Sequence, residues 1–252
     1  MTNTPNIIAV DIGNTHAGFC VMDGLSVTAE FEISSHSHAD TLHEMLQERV
    51  GSALRSRPLV IASVNPRFTE VLEAQWHALT GQYCTVLGRD LHVPIPNLTN
   101  PPEKTGQDRL VNALAAKARC GDNAIVVDFG TAITFDVLRD GAYAGGVITP
   151  GIGLAMEALH QKTALLPLVR PQGRPAIIGT DTVSAINAGV FYGYIGLVEN
   201  ILRELLQQFT QHPPVLATGG YGAHLAPEIP LIGESIPQLT HEGIALAWAA
   251  TR

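Results

Sequence analysis

Two short segments of this 252-residue chain carry the same polar pattern after an apolar run. The first is DIGNT at residues 11–15, and the second is DFGT at residues 128–131. Backbone N–H groups beside a glycine can hold phosphate oxygens, while a carboxylate can face a cation. The two segments therefore indicate a phosphate and metal site. An aspartate that caps its own turn is the alternative for either segment taken alone.

Both segments belong to a longer internal repeat. Residues 7–24 (IIAVDIGNTHAGFCVMDG) align without a gap with residues 124–141 (AIVVDFGTAITFDVLRDG), and the matching Asp, Gly and closing Asp-Gly positions share one offset. Asp-Gly between two apolar stretches is typical of a type I′ hairpin turn. Each copy therefore predicts a meander of three strands. The repeat favours two bends that face each other across a cleft and clamp a nucleotide.

Helical patterns follow each meander. Further apolar strands at 58–64, 83–88 and 214–220 lie between them, which favours a mixed-sheet α/β domain made twice. The domain boundary is predicted near residue 120, giving domains 1–120 and 121–252. The helices are predicted around 37–55, 66–80, 105–120, 151–161 and 181–209.

Another polar segment, KTGQDRLVN at residues 104–112, lies at the start of a predicted helix. Asp108 and Arg109 fall in the first turn of that helix, behind Gly106. The helix dipole and the adjacent Arg favour an ionised Asp108. Such a carboxylate could accept the proton of a substrate hydroxyl during phosphoryl transfer. An ordinary acidic first turn is the equally good alternative.

The segment PVLATGGYGAHLAP at residues 214–227 is a weaker signal. A strand that runs into Thr218-Gly219-Gly220 can let a base, sugar or phosphate pack on bare backbone, but a plain strand-to-helix turn fits as well. Neither the dinucleotide-binding pattern G-x-G-x-x-G after a strand nor the P-loop pattern occurs. A redox enzyme that uses a nicotinamide cofactor is therefore disfavoured.

The composition excludes other classes of function. The chain has 15 Lys and Arg against 23 Asp and Glu, a net charge of −8, and no local basic cluster, so we expect no nucleic-acid partner. No apolar run approaches the roughly 20 residues that span a bilayer, and the N-terminal sequence lacks a signal-peptide pattern. We expect a cytoplasmic protein without a membrane partner. Three widely spaced cysteines indicate neither a disulfide framework nor a zinc site.

In their order along the chain, these segments resemble the type III pantothenate kinases, bacterial enzymes of coenzyme A synthesis. That family lies within the sugar kinase, actin and heat-shock ATPase superfamily. The resemblance implies two ribonuclease H-like (actin-like ATPase) domains with mixed sheets, helices and a cleft between them. It is carried by six blocks: DIGNTH, GQDRLVNALAA, VVDFGTAITFDV, GGVITPGIGLAMEALHQKTALLPLV, IGTDTVSAINAGVFYGYIGLVENI and ATGGYGAHLAP.

The resemblance also implies a reaction and residue roles. The γ-phosphoryl of ATP would pass to the primary hydroxyl of pantothenate, with Asp108 as the general base. Asp11 would bind magnesium, Asp128 would bind a monovalent cation (potassium or ammonium), and Thr131 would add a nucleotide contact. The ATP phosphates would lie at Asp11, Ile12, Gly13, Asn14, Thr15 and His16, and pantothenate at Gly106, Gln107, Asp108, Arg109 and Thr182.

Members of the family are homodimers with the pantothenate pocket at the subunit interface. The apolar helix at 189–202 is a candidate dimer surface here, and a core helix is the alternative. This chain departs from the family at three positions. Leu98 stands where a Tyr is common, Gln107 replaces a small residue, and His16 replaces a common Asn.

Two alternatives within the superfamily remain. Leu98 leaves open a kinase or ATPase that acts on another small hydroxylated substrate. A non-catalytic regulatory paralogue is the second alternative, and the presence of Asp11, Asp108 and Asp128 argues against it.

Overall fold

The computed structural model describes residues 6–51, 56–170 and 173–251. Residues 52–55, the end of the helix predicted at 37–55, lie outside the described part. The observed helices are α1 (Ala39–Arg49), α2 (Pro66–Thr80), α3 (Gln107–Cys120), α4 (Ile152–Gln161), α5 (Thr182–Leu206), α6 (Gly222–Leu225) and α7 (Leu239–Ala249), with 3-10 turns at Pro102–Lys104 and Ala226–Glu228.

The first sheet has five strands, and its central strand carries the first polar segment. The strands are β1 (Asn6–Ile12), β2 (His16–Asp23), β3 (Ser26–Ser34), β4 (Leu59–Ser63) and β5 (Thr85–Val86). They lie in the order β3-β2-β1-β4-β5. Strand β1 is antiparallel to β2 and parallel to β4.

The second sheet repeats this plan. Its strands are β6 (Ala124–Phe129), β7 (Ala132–Arg139), β8 (Ala142–Pro150), β9 (Val215–Thr218) and β10 (Glu234–Ser235). They lie in the order β10-β9-β6-β7-β8, with β6 antiparallel to β7 and parallel to β9. The predicted duplicated α/β fold with mixed sheets is confirmed.

The bend between the first two strands differs between the repeats. Phe19 lies opposite Val10 in the first sheet, and Phe135 lies opposite Val127 in the second. An alignment without a gap would match Phe19 with Asp136 instead. The second bend is therefore one residue shorter, which keeps the two phenylalanines on the same face of their sheets.

The closing Asp-Gly turns also differ. Asp140 (φ 51°) and Gly141 (φ 74°) both have positive φ, as a type I′ turn requires. In the first repeat Asp23 pairs with Ser26, so the two central residues are Gly24 and Leu25. Only Gly24 of these two has positive φ, at 65°. The type I′ turn predicted from sequence is therefore present in the second repeat alone.

Helices cover both faces of the first sheet. Helices α1 and α2 pack together over the face that carries Ile8, Val10 and Ile12, and Trp76 of α2 is fully buried there. Side chains alternate between the faces of a strand, so Ala9 and Asp11 point to the opposite face. Helices α3 and α7 pack on the sheet as well as on each other.

In the second sheet, α4 and α5 contribute to the core on the face of Ile125, Val127 and Phe129. The inner side of α5 is buried in this core through residues such as Val198 and Leu202. By length and composition α5 could also cross a membrane, the only helix in the described part that could. Helices in the core of a protein can have the same length and apolar composition, and α5 contributes to such a core.

The chain forms two compact units. The first comprises Met1–Gly121, Gly141–Ala144 and Gln238–Arg252, and the second comprises Asp122–Asp140 and Gly145–Pro237. The first long segment of the first unit ends at Gly121. The C-terminal segment with α7, in contrast, packs with the first unit because α7 lies against α3 and β1.

Helix α7 approaches α3 closely at a glycine. An added Cβ at Gly243 would overlap the carbonyl of Val111 on α3. Next to this contact, Thr240 Oγ1 donates a buried hydrogen bond of 2.8 Å to Asn112 Oδ1. The glycine therefore permits the spacing that brings the two polar side chains together.

We expect Gly243→Ala to lower the free energy of unfolding by about 1–3 kcal/mol, because overpacking forces α3 and α7 apart. Thermal or urea unfolding followed by circular dichroism measures the change. Gly153→Ala is the matched control, since Gly153 is also helical and an added Cβ there meets only ordinary contacts, at 3.6 Å or more from Tyr221. Equal stability of the two variants would contradict the close packing.

Candidate active site

Asp11 occupies the end of the central strand β1. It pairs with Gly18 of β2 and lies beside Ala62 of β4. Its side chain is half-buried and points to the face where α3 and α7 pack. Ile12, which we predicted to contact ATP, has its side chain fully buried on the other face. Only the main chain of Ile12 is available for such a contact.

The turn after β1 is held in one shape by its own main chain. The Gly13 N–H donates to the His16 carbonyl at 2.9 Å, so the turn itself uses this predicted phosphate donor. Asn14 and His16 are exposed, and Thr15 is half-buried. The protruding part of the turn is therefore Asn14 to His16.

Ser35, at the end of β3, braces this turn from the side. Its N–H donates to the Thr15 carbonyl at 2.9 Å, and its Oγ donates to the Gly13 carbonyl at 3.0 Å. Sequence reasoning missed Ser35, because the turn lies about twenty residues earlier and no local motif links the two.

Asp108 lies at the same edge of the first sheet as Asp11. Helix α3 begins after Gly106, where an added Cβ would overlap Asp108 Oδ1 and lie 3.2 Å from Val64 Cγ1. Val64 in turn donates its N–H to the Ile12 carbonyl at 3.0 Å. This chain of contacts places the start of α3 against the carboxyl ends of β1 and β4. The two acids that were predicted to bind metal and substrate therefore lie at the same end of the first sheet.

The Asp108 carboxyl is desolvated. Burial raises its pKa above the ordinary value, and the hydrogen bond from the Arg109 N–H to Oδ1 (2.9 Å), together with the Arg109 charge, opposes this only in part. The sequence argument expected the helix dipole and Arg109 to dominate and favour ionisation. The loss of hydration is the larger effect, and it makes Asp108 a stronger base than an exposed aspartate.

Two positions that depart from the family pattern, Gln107 and Leu98, have different surroundings. Gln107 folds its side chain under Gly88, where an added Cβ would come within 2.7 Å of the amide. Gly88 has a φ of 85°, which a glycine adopts without strain. The Gln107 side chain would have to leave this position to contact a substrate as predicted. Leu98, at the position where the resemblance led us to expect a Tyr, is 66% exposed.

In the second unit, Asp128 lies beside bare backbone. It pairs with Thr134 of β7 and lies next to Thr218 of β9. An added Cβ at Gly219 would come within 2.5 Å of Asp128 Oδ1, so only glycine fits there. The strand-to-glycine segment singled out in the sequence thus forms one wall around Asp128.

Thr131 and Thr182 are the other predicted residues of the second unit, and both are exposed. The Thr131 carbonyl accepts a hydrogen bond from the Gly151 N–H at 3.0 Å, which braces the second turn as Ser35 braces the first. Thr182 begins α5, directly after the N-cap Asp181, whose side chain accepts from the Ser184 N–H.

The donor set suits magnesium held jointly with phosphates. Within residues 6–51, 56–170 and 173–251, no three His, Cys, Asp or Glu side chains cluster as a complete metal cage. Magnesium commonly takes one or two carboxylates and completes its shell with water and substrate phosphates. Asp11, beside a glycine turn, fits that kind of site.

Asp108→Asn should be at least as stable as the wild-type protein near neutral pH. Because the folded-state pKa of Asp108 is raised, the wild-type protein loses stability as the pH rises through it. Asparagine removes the buried charge and can still accept the Arg109 N–H. Thermal unfolding between about pH 4 and about pH 8 measures the difference between the variants, which should shrink toward acid pH. A variant that is less stable by a constant amount at every pH would contradict the raised pKa.

Sequence comparisons show the family of this chain. A sequence profile described as type III pantothenate kinase matches residues 7–204. A type III pantothenate kinase from Syntrophotalea carbinolica is 34% identical over 249 residues, covering 96% of this chain and 98% of the relative. Another from Ruegeria pomeroyi is 40% identical over 225 residues, covering 86% of each chain.

A solved structure supports the fold alone. A ROK family glucokinase from Streptomyces griseus, in complex with glucose and AMPPNP, has a TM-score of 0.56 and 14% identity, with 95% of this chain and 97% of the other covered. The family profile spans most of the chain, and relatives above 30% identity span nearly all of it. This chain belongs to the type III pantothenate kinase family.

Proposed function

We propose that this protein is a pantothenate kinase, which transfers the γ-phosphoryl of ATP to pantothenate and gives 4′-phosphopantothenate and ADP. This is the first step of coenzyme A biosynthesis. The observation that carries the proposal is the desolvated Asp108 carboxyl at the same sheet edge as Asp11. Family membership over nearly the whole chain supports the same reaction.

Asp108 accepts the proton of the pantothenate hydroxyl as that oxygen attacks the γ-phosphorus. A base whose pKa is raised toward neutrality holds the proton better during the attack than an exposed aspartate does. Arg109 follows directly and supplies a positive charge for the anionic substrate, and Gly106 keeps the approach to the carboxyl free of a side chain. Gln107 and Thr182 remain predictions from the family resemblance.

Asp11 and the turn at 13–16 hold the phosphates of ATP. Magnesium bound at Asp11 would neutralise charge on these phosphates, which lowers the barrier to phosphoryl transfer. Ser35 keeps the turn in the shape that the phosphates meet. Thr131 of the second unit supplies a further nucleotide contact in this proposal.

Asp128 binds the monovalent cation, potassium or ammonium. Its carboxylate lies beside the bare backbone of Gly219, and the register of β6 with β9 places Thr218 next to it. Oxygen donors are the ligands that such cations prefer.

The protein forms a homodimer through α5 in this proposal, and acts in the cytoplasm. The outer side of α5 carries Ala185, Gly189 and Gly193, and an added Cβ at either glycine meets nothing within 4 Å. Exposed apolar residues flank the start of the helix, among them Ile178 at 78% and Val183 at 46% exposure. An apolar surface of this kind favours a partner helix over water.

A kinase that acts on another small hydroxylated substrate is the second candidate function. Leu98 is the observation behind it, because this exposed side chain cannot donate the hydrogen bond that a Tyr would. Every feature of phosphate binding and proton transfer is shared by both candidates, so they differ only in the acceptor.

Steady-state ADP release tests the proposed function. We expect ADP only when pantothenate is present, and faster release in potassium than in sodium. Asp108→Asn should reduce turnover by at least about 100-fold while ATP binding persists, because only the proton acceptor is lost. A coupled ADP assay measures turnover, and calorimetry measures ATP binding.

ADP release that ignores pantothenate and responds to another hydroxylated acid would favour the second candidate. Near-wild-type turnover of Asp108→Asn would exclude Asp108 as the base. An identical rate in potassium and sodium would contradict the cation role of Asp128.

Gly193→Glu tests the dimer. The wild-type protein should have a mass close to twice the 26.8 kDa of the chain in analytical ultracentrifugation, and the variant should be monomeric. A glutamate at 193 has room within its own chain but would place a charge in an apolar interface. Ala78→Glu, at an exposed position of α2, is the matched control and should remain dimeric. A dimeric Gly193→Glu would exclude this surface.

A further inference from the structure

Tyr143 lies under the substrate-binding end of α3 without belonging to any of the motifs above. It is the second residue of β8, and its side chain is 1% exposed. Although β8 belongs to the second sheet, residues 141–144 pack within the first unit. The Lys117 Nζ of α3 donates to the Gly141 carbonyl at 2.9 Å and ties this segment to the helix.

The ring of Tyr143 faces Arg109. The guanidinium carbon of Arg109 lies 5.6 Å from the centre of the ring, within the range of a cation–π interaction. Because the ring is buried, its own position is fixed by packing. A fixed ring beside Arg109 limits the positions that the Arg109 side chain can adopt. An arginine held in place loses less conformational entropy when it binds an anion than one that moves freely.

The main chain of Tyr143 holds the loop that leads into α3. Its N–H donates to the Pro96 carbonyl at 2.8 Å, and its carbonyl accepts from the Leu98 N–H at 2.9 Å, as one rung of a parallel bridge at Asn97. Asn97 links this bridge to the residues just before α3, since its Nδ2 donates to the Pro102 carbonyl at 3.0 Å. Tyr143 thus contacts both ends of the segment 96–109.

We propose that Tyr143 is a positioning residue for the acid substrate, whose ring holds Arg109 in its binding arrangement while its main chain holds the loop at Leu98. The inference rests on the proposed function, because Arg109 is taken to bind pantothenate. Tyr143 itself touches neither the reacting atoms nor ATP in this proposal. Its removal should therefore raise the KM for pantothenate and leave kcat and the KM for ATP unchanged.

The test is the kinetics of Tyr143→Leu beside two other tyrosine variants. We expect the KM for pantothenate to rise about tenfold in Tyr143→Leu, within the range of a desolvated cation–π interaction. Tyr143→Phe keeps the ring and should restore the wild-type KM. Tyr83→Leu is the matched control, since Tyr83 is 85% exposed and stacks on His77, and it should behave as wild type.

A double-mutant cycle with Arg109→Ala separates positioning from a general loss of structure. If Tyr143 acts through Arg109, Tyr143→Leu should raise the KM much less in the Arg109→Ala background than in the wild type. Equal increases in both backgrounds would overturn the inference.

If Tyr143→Leu does not fold, fluorinated phenylalanines at 143 keep the shape of the ring while withdrawing electrons from its face. The KM should then rise with each added fluorine, and a constant KM overturns the inference.

The controls also separate this inference from the proposed function. A wild-type KM in Tyr143→Leu overturns the inference while pantothenate-dependent ADP release by the wild-type enzyme stands. Wild-type enzyme without pantothenate-dependent ADP release overturns both.

Discussion

The desolvation of the Asp108 carboxyl is the constraint on which the candidate site depends. A desolvated carboxylate costs free energy, so the surrounding packing must be strong enough to hold it. That packing is the contact of α3 with α7, where Gly243 admits the Val111 carbonyl and Thr240 bonds to Asn112. The same desolvation raises the pKa of Asp108. The interaction that costs stability therefore also produces a base suited to a hydroxyl substrate.

The parts of the fold that could be predicted are those with local patterns. The repeat of 7–24 in 124–141 predicts two sheets with the same strand plan, and the pattern at 104–112 predicts a helix that starts near Asp108. Helix α7 was missed, because its sequence LTHEGIALAWA is apolar on nearly all sides and shows no amphipathic period. Its partner Asn112 lies 128 residues before Thr240, too far for any local signal.

The candidate site also contains some residues that could be predicted from local patterns and others that could not. Residue types and spacing indicated Asp11 and Asp128, because an acid at the end of an apolar strand is unusual. An acid at a helix start is common, so Asp108 stood out only through the family resemblance. Local sequence patterns could not identify Ser35 and Tyr143. Each of them contacts a segment that is remote in sequence, Ser35 through hydrogen bonds to main-chain atoms and Tyr143 through its ring. The sign of the Asp108 pKa shift was also out of reach, because desolvation depends on tertiary packing.

The two repeats share one topology but differ at the position opposite their strand-end acids. Opposite Asp11 lies Gly18, and His241 of α7 donates its Nε2–H to the Gly18 carbonyl at 3.1 Å. Burial lowers the pKa of His241, which keeps the ring neutral in this contact. Opposite Asp128 lies Thr134, whose hydroxyl donates to Asp136 on its own strand at 3.2 Å.

A helix that approached the second sheet as closely as α7 approaches Gly18 would meet the Thr134 side chain. The absence of a side chain at Gly18 therefore lets α7 pack on the first sheet, and α7 in turn supports α3, which begins with the desolvated Asp108. The second repeat keeps its acid beside the bare backbone of Gly219 instead. Divergence at one strand position thus gives the two repeats different surroundings for their strand-end acids.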